Sequence, residues 1–316
     1  MHLASPLLRR NSFRRALATG ALAAALTLIA LADVSAGAGT LVVPCDGIAA
    51  DPPTYDNCTL CHVGGGLMAG DGDLELFGVP AEYVPGANYP LIVRLQDPGM
   101  IRWGFQITAI FEDGSDAGTF TATDPVNVQV SHLFWRTFVK HTVAGSRLGV
   151  PDGPVDWNFD WTAPVAGSGT ARFYLAALAS NGDDTPDGDD TYLLADAAAE
   201  SGAAHPDLTL LVQPDGVAPR RGGNFDVWTT VRNHATSARS ALLVSRVRLA
   251  SGALFPGNSW LQGPLPFTVP AGGRQLLALP HALPPGIPYL QGDYLTAIGS
   301  APATLLDLER FAFSVQ

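Results

Sequence analysis

The sequence predicts an all-β protein: two sandwiches behind an export leader. Three observations carry that expectation. Apolar and polar residues alternate at a period of two in many short runs. Asp-Gly, Asn-Gly and Pro-Gly pairs punctuate those runs. Gly (34) and Pro (25) are abundant among 316 residues, while charged residues make up only 15%. That balance suits many turns and short strands rather than long helices.

At the N-terminus, Arg9, Arg10, Arg14 and Arg15 precede an uncharged run from Ala16 to Ala32. Val34-Ser35-Ala36 follows as a small-x-small cleavage site, so residues 1–36 read as a secretory signal peptide. The apolar run is Ala-rich and at the short edge for spanning a bilayer, which makes an uncleaved anchor the weaker reading. There is no second run of this kind, so the mature chain is expected to be exported, with no membrane span, into the periplasm or onto the cell surface. That chain, residues 37–316, is long enough for two cores. Residues 37–200 carry 22 acids against 6 bases, and residues 206–316 carry 6 acids against 8 bases. The acidic half disfavours nucleic acid and anionic membranes and would steer towards basic partners, although a charged surface also serves solubility.

Next comes Cys58-Thr59-Leu60-Cys61-His62. C-x-x-C with His immediately after is the attachment signature of c-type haem. The two thiols reach the two vinyl groups of one porphyrin, and the adjacent imidazole falls beneath the iron. A thioredoxin-like dithiol would need a βαβ setting, and a structural zinc would need four ligands in separated pairs. A chain with three cysteines and no such setting supports neither. Residues 37–80 are therefore assigned to attaching one covalent haem c, with Cys58 and Cys61 as thioether donors and His62 as iron ligand. Val63-Gly64-Gly65-Gly66 would let the backbone pass close to a flat macrocycle, or would form an ordinary loop. Cys45 is left over, and is expected as a buried free thiol, with an intermolecular link as the alternative.

Strand patterns begin after Tyr83. Leu91–Leu95 is a short candidate. Trp103, Phe105, Ile107, Ala109 and Phe111 fall on one face, and Val126, Val128 and Val130 alternate likewise. Trp157, Phe159 and Trp161 alternate with Asn158 and Asp160, and Ala171–Ala177 continues around Phe173 and Tyr174. The three tryptophans read as sandwich core rather than haem edge. Arg102 and Arg136 could pair with haem propionates, but surface placement is the plainer reading.

The series C-x-x-C-H with its glycines, Tyr83-Val84-Pro85-Gly86, Arg102-Trp103-Gly104-Phe105-Gln106, Lys140-His141-Thr142, Trp161-Thr162-Ala163-Pro164 and Phe173-Tyr174 resembles the bacterial Reeler-like domains called choice-of-anchor V. The resemblance covers roughly residues 58–193. It implies an extracellular β-sandwich, placed here at 81–200, with the C-x-x-C-H segment lying against its sheet. Where the family has an Asn-Gly-rich loop, this chain has Asn181–Asp190, which is more acidic and leaves a cation site open.

A second axial ligand remains to be assigned. His141 stands in the block matching the family's His-Thr pair and ends the aromatic stretch Phe134–Phe138, which could wall a porphyrin. It is the expected sixth ligand, giving bis-His ligation. His132 and Met100 are rivals; Met68 is too close to His62 in sequence to reach the far face easily. A five-coordinate iron would favour peroxidase or sensor chemistry.

Residues 195–206 read as a linker ending at His205-Pro206. Beyond it, Phe225, Val227, Thr229 and Val231 alternate, as do Leu243, Ser245, Val247 and Leu249, then Phe311, Phe313 and Val315. Residues 206–316 resemble immunoglobulin-like cell-adhesion modules of bacteria, and His234 and His281 are expected in exposed loops. No Ser-His-Asp motif, phosphate loop or paired acid/base carboxylates stand out, so an electron carrier is expected before an enzyme. The expected function is one-electron transfer by an exported monohaem c-type cytochrome, working with a redox partner protein or another cytochrome. Two alternatives stand beside it. One is a cell-surface binding protein with a structural haem, self-assembling or surface-associated; the other is a haem sensor or peroxidase.

Overall fold

Period-two runs become strands wherever a neighbouring layer covers one face. A computed structural model describes residues 43–257, 259–287, 289–300 and 304–316, and the expected leader over 1–36 lies outside them. The described residues are all-β, with nineteen strands and two short 3-10 turns. No helix among them is long and apolar enough to cross a membrane.

The N-terminal half begins with β1 (Val63–Leu67), β2 (Asp73–Phe77), β3 (Glu82–Tyr83), β4 (Asn88–Gln96), β5 (Arg102–Ile110) and β6 (Thr119–Thr121). It continues with β7 (Val128–Leu133), β8 (Arg136–His141), β9 (Val155–Thr162), β10 (Ala171–Ser180) and β11 (Asp187–Glu200). One sheet runs β1-β11-β10-β5-β8-β7, with β3 also paired to β11; the other runs β2-β4-β9-β6. Trp103, Phe105 and Phe173 from the first meet Val93, Trp157, Phe159 and Trp161 from the second. The Phe105 ring lies 4.7 Å from Trp157, and the Trp161 ring 5.0 Å from Phe173. Trp103, Trp157 and Trp161 are core residues. Each donates its indole N–H to a backbone carbonyl, of Val150, Gly145 and Ala117 respectively, so burial orphans no donor.

The C-terminal half holds β12 (Leu208–Pro214), β13 (Asn224–Asn233), β14 (Arg239–Leu249) and β15 (Leu254–Phe255). β16 (Gln262–Val269), β17 (Arg274–Ala282), β18 (Leu290–Ser300) and β19 (Thr304–Val315) complete it. β12-β13-β17 form one sheet; β15-β14-β18-β19, with β16 on β14, form the other. Phe225, Tyr294, Phe311 and Phe313 fill the space between.

The two sandwiches are stacked. Ile110, Tyr174, Ala195 and Ala197 of the first pack with Leu211 of the second, so the β12-β13-β17 sheet covers the outer face of β10 and β11. β11 is accordingly buried continuously from Asp189 to Glu200. A strand covered on both faces loses its alternation. This corrects the linker expected over 195–206: residues 195–200 complete β11, and the connection to β12 is residues 201–207 alone. Asp196, fully buried, receives Arg232 at 3.0 Å and Arg274 at 2.7 Å across the seam. Arg232 and Arg274 also donate to the carbonyls of Val79 and Leu76. Arg172 of β10 pairs with Glu309 of β19. The segment before β1 enters the same seam: Tyr55 packs in the second core, its ring 5.6 Å from Phe311.

Candidate functional site

Asn57 starts the site. Its side-chain carbonyl accepts from the Thr59 N–H at 3.0 Å and the Thr59 hydroxyl at 2.8 Å, capping a single 3-10 turn, Cys58–Leu60. The N–H groups of Cys61 and His62 both donate to the Cys58 carbonyl, so both thiols and the imidazole share one turn. Cys61 is exposed. Cys58 is buried with Ala50, Ala176, Leu193 and Trp228, and that burial pushes its thiol up to about 12.

β1 carries the chain on from His62, parallel to β11. A Cβ on Gly65 would lie 2.3 Å from the Asp189 carbonyl oxygen, and one on Gly64 2.9 Å from the Gly188 nitrogen. The glycines after the motif therefore let β1 press against β11. This pairing brings His62 to Asp189, 127 residues away. Nδ1 donates to Oδ2 at 2.5 Å, and the fully buried carboxylate also accepts from the Asn181 N–H at 3.1 Å. With the proton held on Nδ1, the ring's lone pair sits on Nε2, the tautomer that an axial ligand requires. Thr191 lies on the same face by alternation, and its hydroxyl is buried without a hydrogen-bond partner among the described residues.

His141 ends β8, where the ladder to β5 stops at Gln106–Lys140. Its ring turns against β5. Nδ1 accepts from the Phe105 N–H at 3.1 Å, and a Cβ on Gly104 would lie 2.7 Å from Cε1. Gly104 and Gln106 present the same face of β5 by alternation. That face receives the leading segment: Gln106 Oε1 accepts from the N–H groups of Gly47 and Ile48, and its Nε2 donates to the Cys45 carbonyl. Lys140 Nζ donates to the Pro44 carbonyl. On β10, Ala176, a neighbour of Cys58, stands opposite Gln106. His62 is thus anchored on β11 and His141 on β5. β10 is the single strand between β11 and β5, and the two anchors are also offset along the strands: Asp190, next to the His62 partner, falls in a row with Ala179 and Trp103, while the His141 ring meets Phe105.

The remaining candidates are placed elsewhere. His132 is exposed and shares a hydrogen bond with the Thr137 hydroxyl at 3.1 Å. Met100 packs at the edge of the first core. Met68 Sδ accepts from the Leu193 N–H at 2.9 Å. Arg136 is engaged by Asp51 and the Gly114 carbonyl, and Arg102 by Asp184 at 3.0 Å. Cys45 is exposed rather than buried, because its backbone, not its thiol, is what anchors it. His234 and His281 are buried rather than in open loops: His234 bridges Thr209 and the Ala81 carbonyl, and His281 Nε2 meets the Tyr294 hydroxyl at 2.6 Å. In the acidic loop, Asp183 caps Thr185 and Asp184 pairs with Arg102. Among the described residues no group of His, Cys, Asp and Glu is arranged to hold a bare metal ion.

The donor set fits a covalent haem at two points: two thiols on one turn, and an imidazole whose Nδ1 proton is fixed by a carboxylate. His141 does not add a third as it stands, because an Nδ1 that accepts from the Phe105 N–H leaves the ring proton on Nε2. Asp189 escaped the sequence reading. Nothing in the spacing links it to His62, and its acidic neighbours disguised it as part of a solvated loop.

No protein-family model matches the sequence, and no curated protein matches it. Among solved structures, the human F-spondin Reeler domain is similar at 21% identity and TM-score 0.32, over 43% of this chain and 95% of that one. The Reelin-N domain of F-spondin is similar at 22% identity and TM-score 0.32, over 43% and 92%. The C-terminal domain of the Streptococcus agalactiae AgI/II polypeptide BspA is similar at 6% identity and TM-score 0.23, over 78% and 99%. Likenesses at this level do not define a family.

Proposed function

We propose that this protein is an exported monohaem c-type cytochrome that transfers one electron at a time outside the cytoplasm. The observation that carries the reading is the His62–Asp189 pair on the turn that holds Cys58 and Cys61. Cys58 and Cys61 would hold the group by thioether bonds, and His62 Nε2 would be an iron ligand. When bound, the haem supplies a one-electron iron couple. The chain's own residues orient the donors and limit their movement: Asp189 fixes the His62 ring, and Phe105 and Gly104 fix the His141 ring. His141, on the same sheet, is the side chain proposed as the second iron ligand; since its Nδ1 accepts from the Phe105 N–H, ligation would require the ring to leave that bond or lose its Nε2 proton. A redox partner protein or another cytochrome would meet the acidic first sandwich through a basic surface.

Full-length protein made in a host that matures c-type cytochromes should carry one covalent haem by mass and by pyridine haemochrome spectrum, and Cys58→Ala/Cys61→Ala should carry none. Colourless wild-type protein rejects the proposal. His141→Ala should turn a low-spin spectrum high-spin; an unchanged spectrum removes His141 from the iron.

The wedged position of Cys58 between the sandwiches favours one further reading, a cell-surface binding protein in which haem ties the leading segment to the seam. A redox titration with partner-exchange kinetics separates the two. A staple need not exchange electrons quickly.

A further inference from the structure

We propose that Asp189 is a positioning residue that gives His62 imidazolate character and so holds the iron's reduction potential low. This deepens the haem reading above and rests on it. The Asp189 carboxylate is fully buried and lies 2.5 Å from Nδ1. Among the described residues no Lys or Arg pairs with it; His62 is its ionic partner, and the Asn181 N–H its other donor. A buried carboxylate with no cationic side chain but His62 beside it draws the ring proton towards itself, and electron density moves to Nε2. A more basic Nε2 stabilises ferric iron over ferrous iron, so taking up an electron becomes less favourable.

The contact is built by the fold rather than by adjacency in the chain. It exists only because β1 lies in parallel register beside β11, with Val63 opposite Asp187 and Gly64 opposite Asp189. The space for that register is the missing Cβ of Gly65, 2.3 Å from the Asp189 carbonyl oxygen. An asparagine at 189 could still accept from Nδ1–H but would bring no charge.

The test uses full-length wild type, Asp189→Asn and Asp189→Glu, made in a host that matures c-type cytochromes. Covalent haem is measured first. Its absence from wild type defeats the haem reading itself. With haem present in both proteins, Asp189→Asn should raise the reduction potential by about 60–120 mV, the equivalent of a 10- to 100-fold loss of ferric preference at 59 mV per tenfold. Asp189→Glu should recover part of that shift. An unchanged potential in Asp189→Asn overturns the role while leaving the haem reading standing. Should Asp189→Asn lose its haem, wild type alone decides. In the reduced protein the His62 Nδ1 proton should appear far downfield by NMR and exchange slowly with water. Rapid exchange overturns the proposal.

Discussion

Gly104 shows how far a single missing atom reaches. A methyl at its Cβ position would stand 2.7 Å from the His141 ring, inside any ordinary contact. Gly104→Ala should therefore displace the ring and cost about 1–3 kcal/mol, as overpacking does in a filled interior. A thermal melt reads the cost, and an axial-ligand band in the optical spectrum reads the displacement; an unchanged melt and spectrum would show that the ring is not held there. The two motif cysteines differ just as sharply. In haem-free protein, Cys61 should be alkylated within minutes and Cys58 protected, because its thiol is buried and raised to about 12. Equal labelling rates would contradict the buried turn. At this scale the C-x-x-C-H turn was legible, since its chemistry is local in sequence. Asp189 was not, because its partnership depends on a parallel strand pairing that no local pattern announces.

At the scale of elements, legibility tracked exposure. β9 and β14 each have one face in a core and alternate visibly, and the sequence reading found both; β5 is buried throughout from Trp103 to Ile110 yet was found as well, because its second face carries Gly104, Gln106 and Thr108. β11 is covered on both faces, and its Ala-rich end passed for a linker. β1 passed for a loop, because glycine carries no pattern. The seam that hides β11 is fastened by Asp196 between Arg232 and Arg274. Asp196→Ala leaves Arg232 buried without its counter-charge and should cost about 3–5 kcal/mol. The shift of the urea midpoint measures it; a change below about 1 kcal/mol, as for an exposed pair, would mean that the seam admits water.

At the largest scale, the four sheets of the described residues form one stack, and the second sandwich carries its own acid sensitivity. Burial against Phe225 and Tyr294 lowers His281 to about 4 from an ordinary value near 6.5. The unfolded chain then binds more protons than the folded chain between those two values, so His281 withdraws stability as pH falls from 6.5 towards 4. Urea midpoints of wild type should fall relative to His281→Leu across that window, and parallel curves would refute the assignment.

The strap of residues 49–58, with Tyr55 in one core and Cys58 under Trp228, fixes an order of events. The sheet that covers it is translated about 150 residues later. If haem is joined to the Cys58 sulfur as proposed, it would have to arrive while the C-terminal half is still undocked. On that proposal a chain that closed early would seal in an unmodified sulfur, and the yield of haem-bearing protein would be decided by a race between attachment and closure.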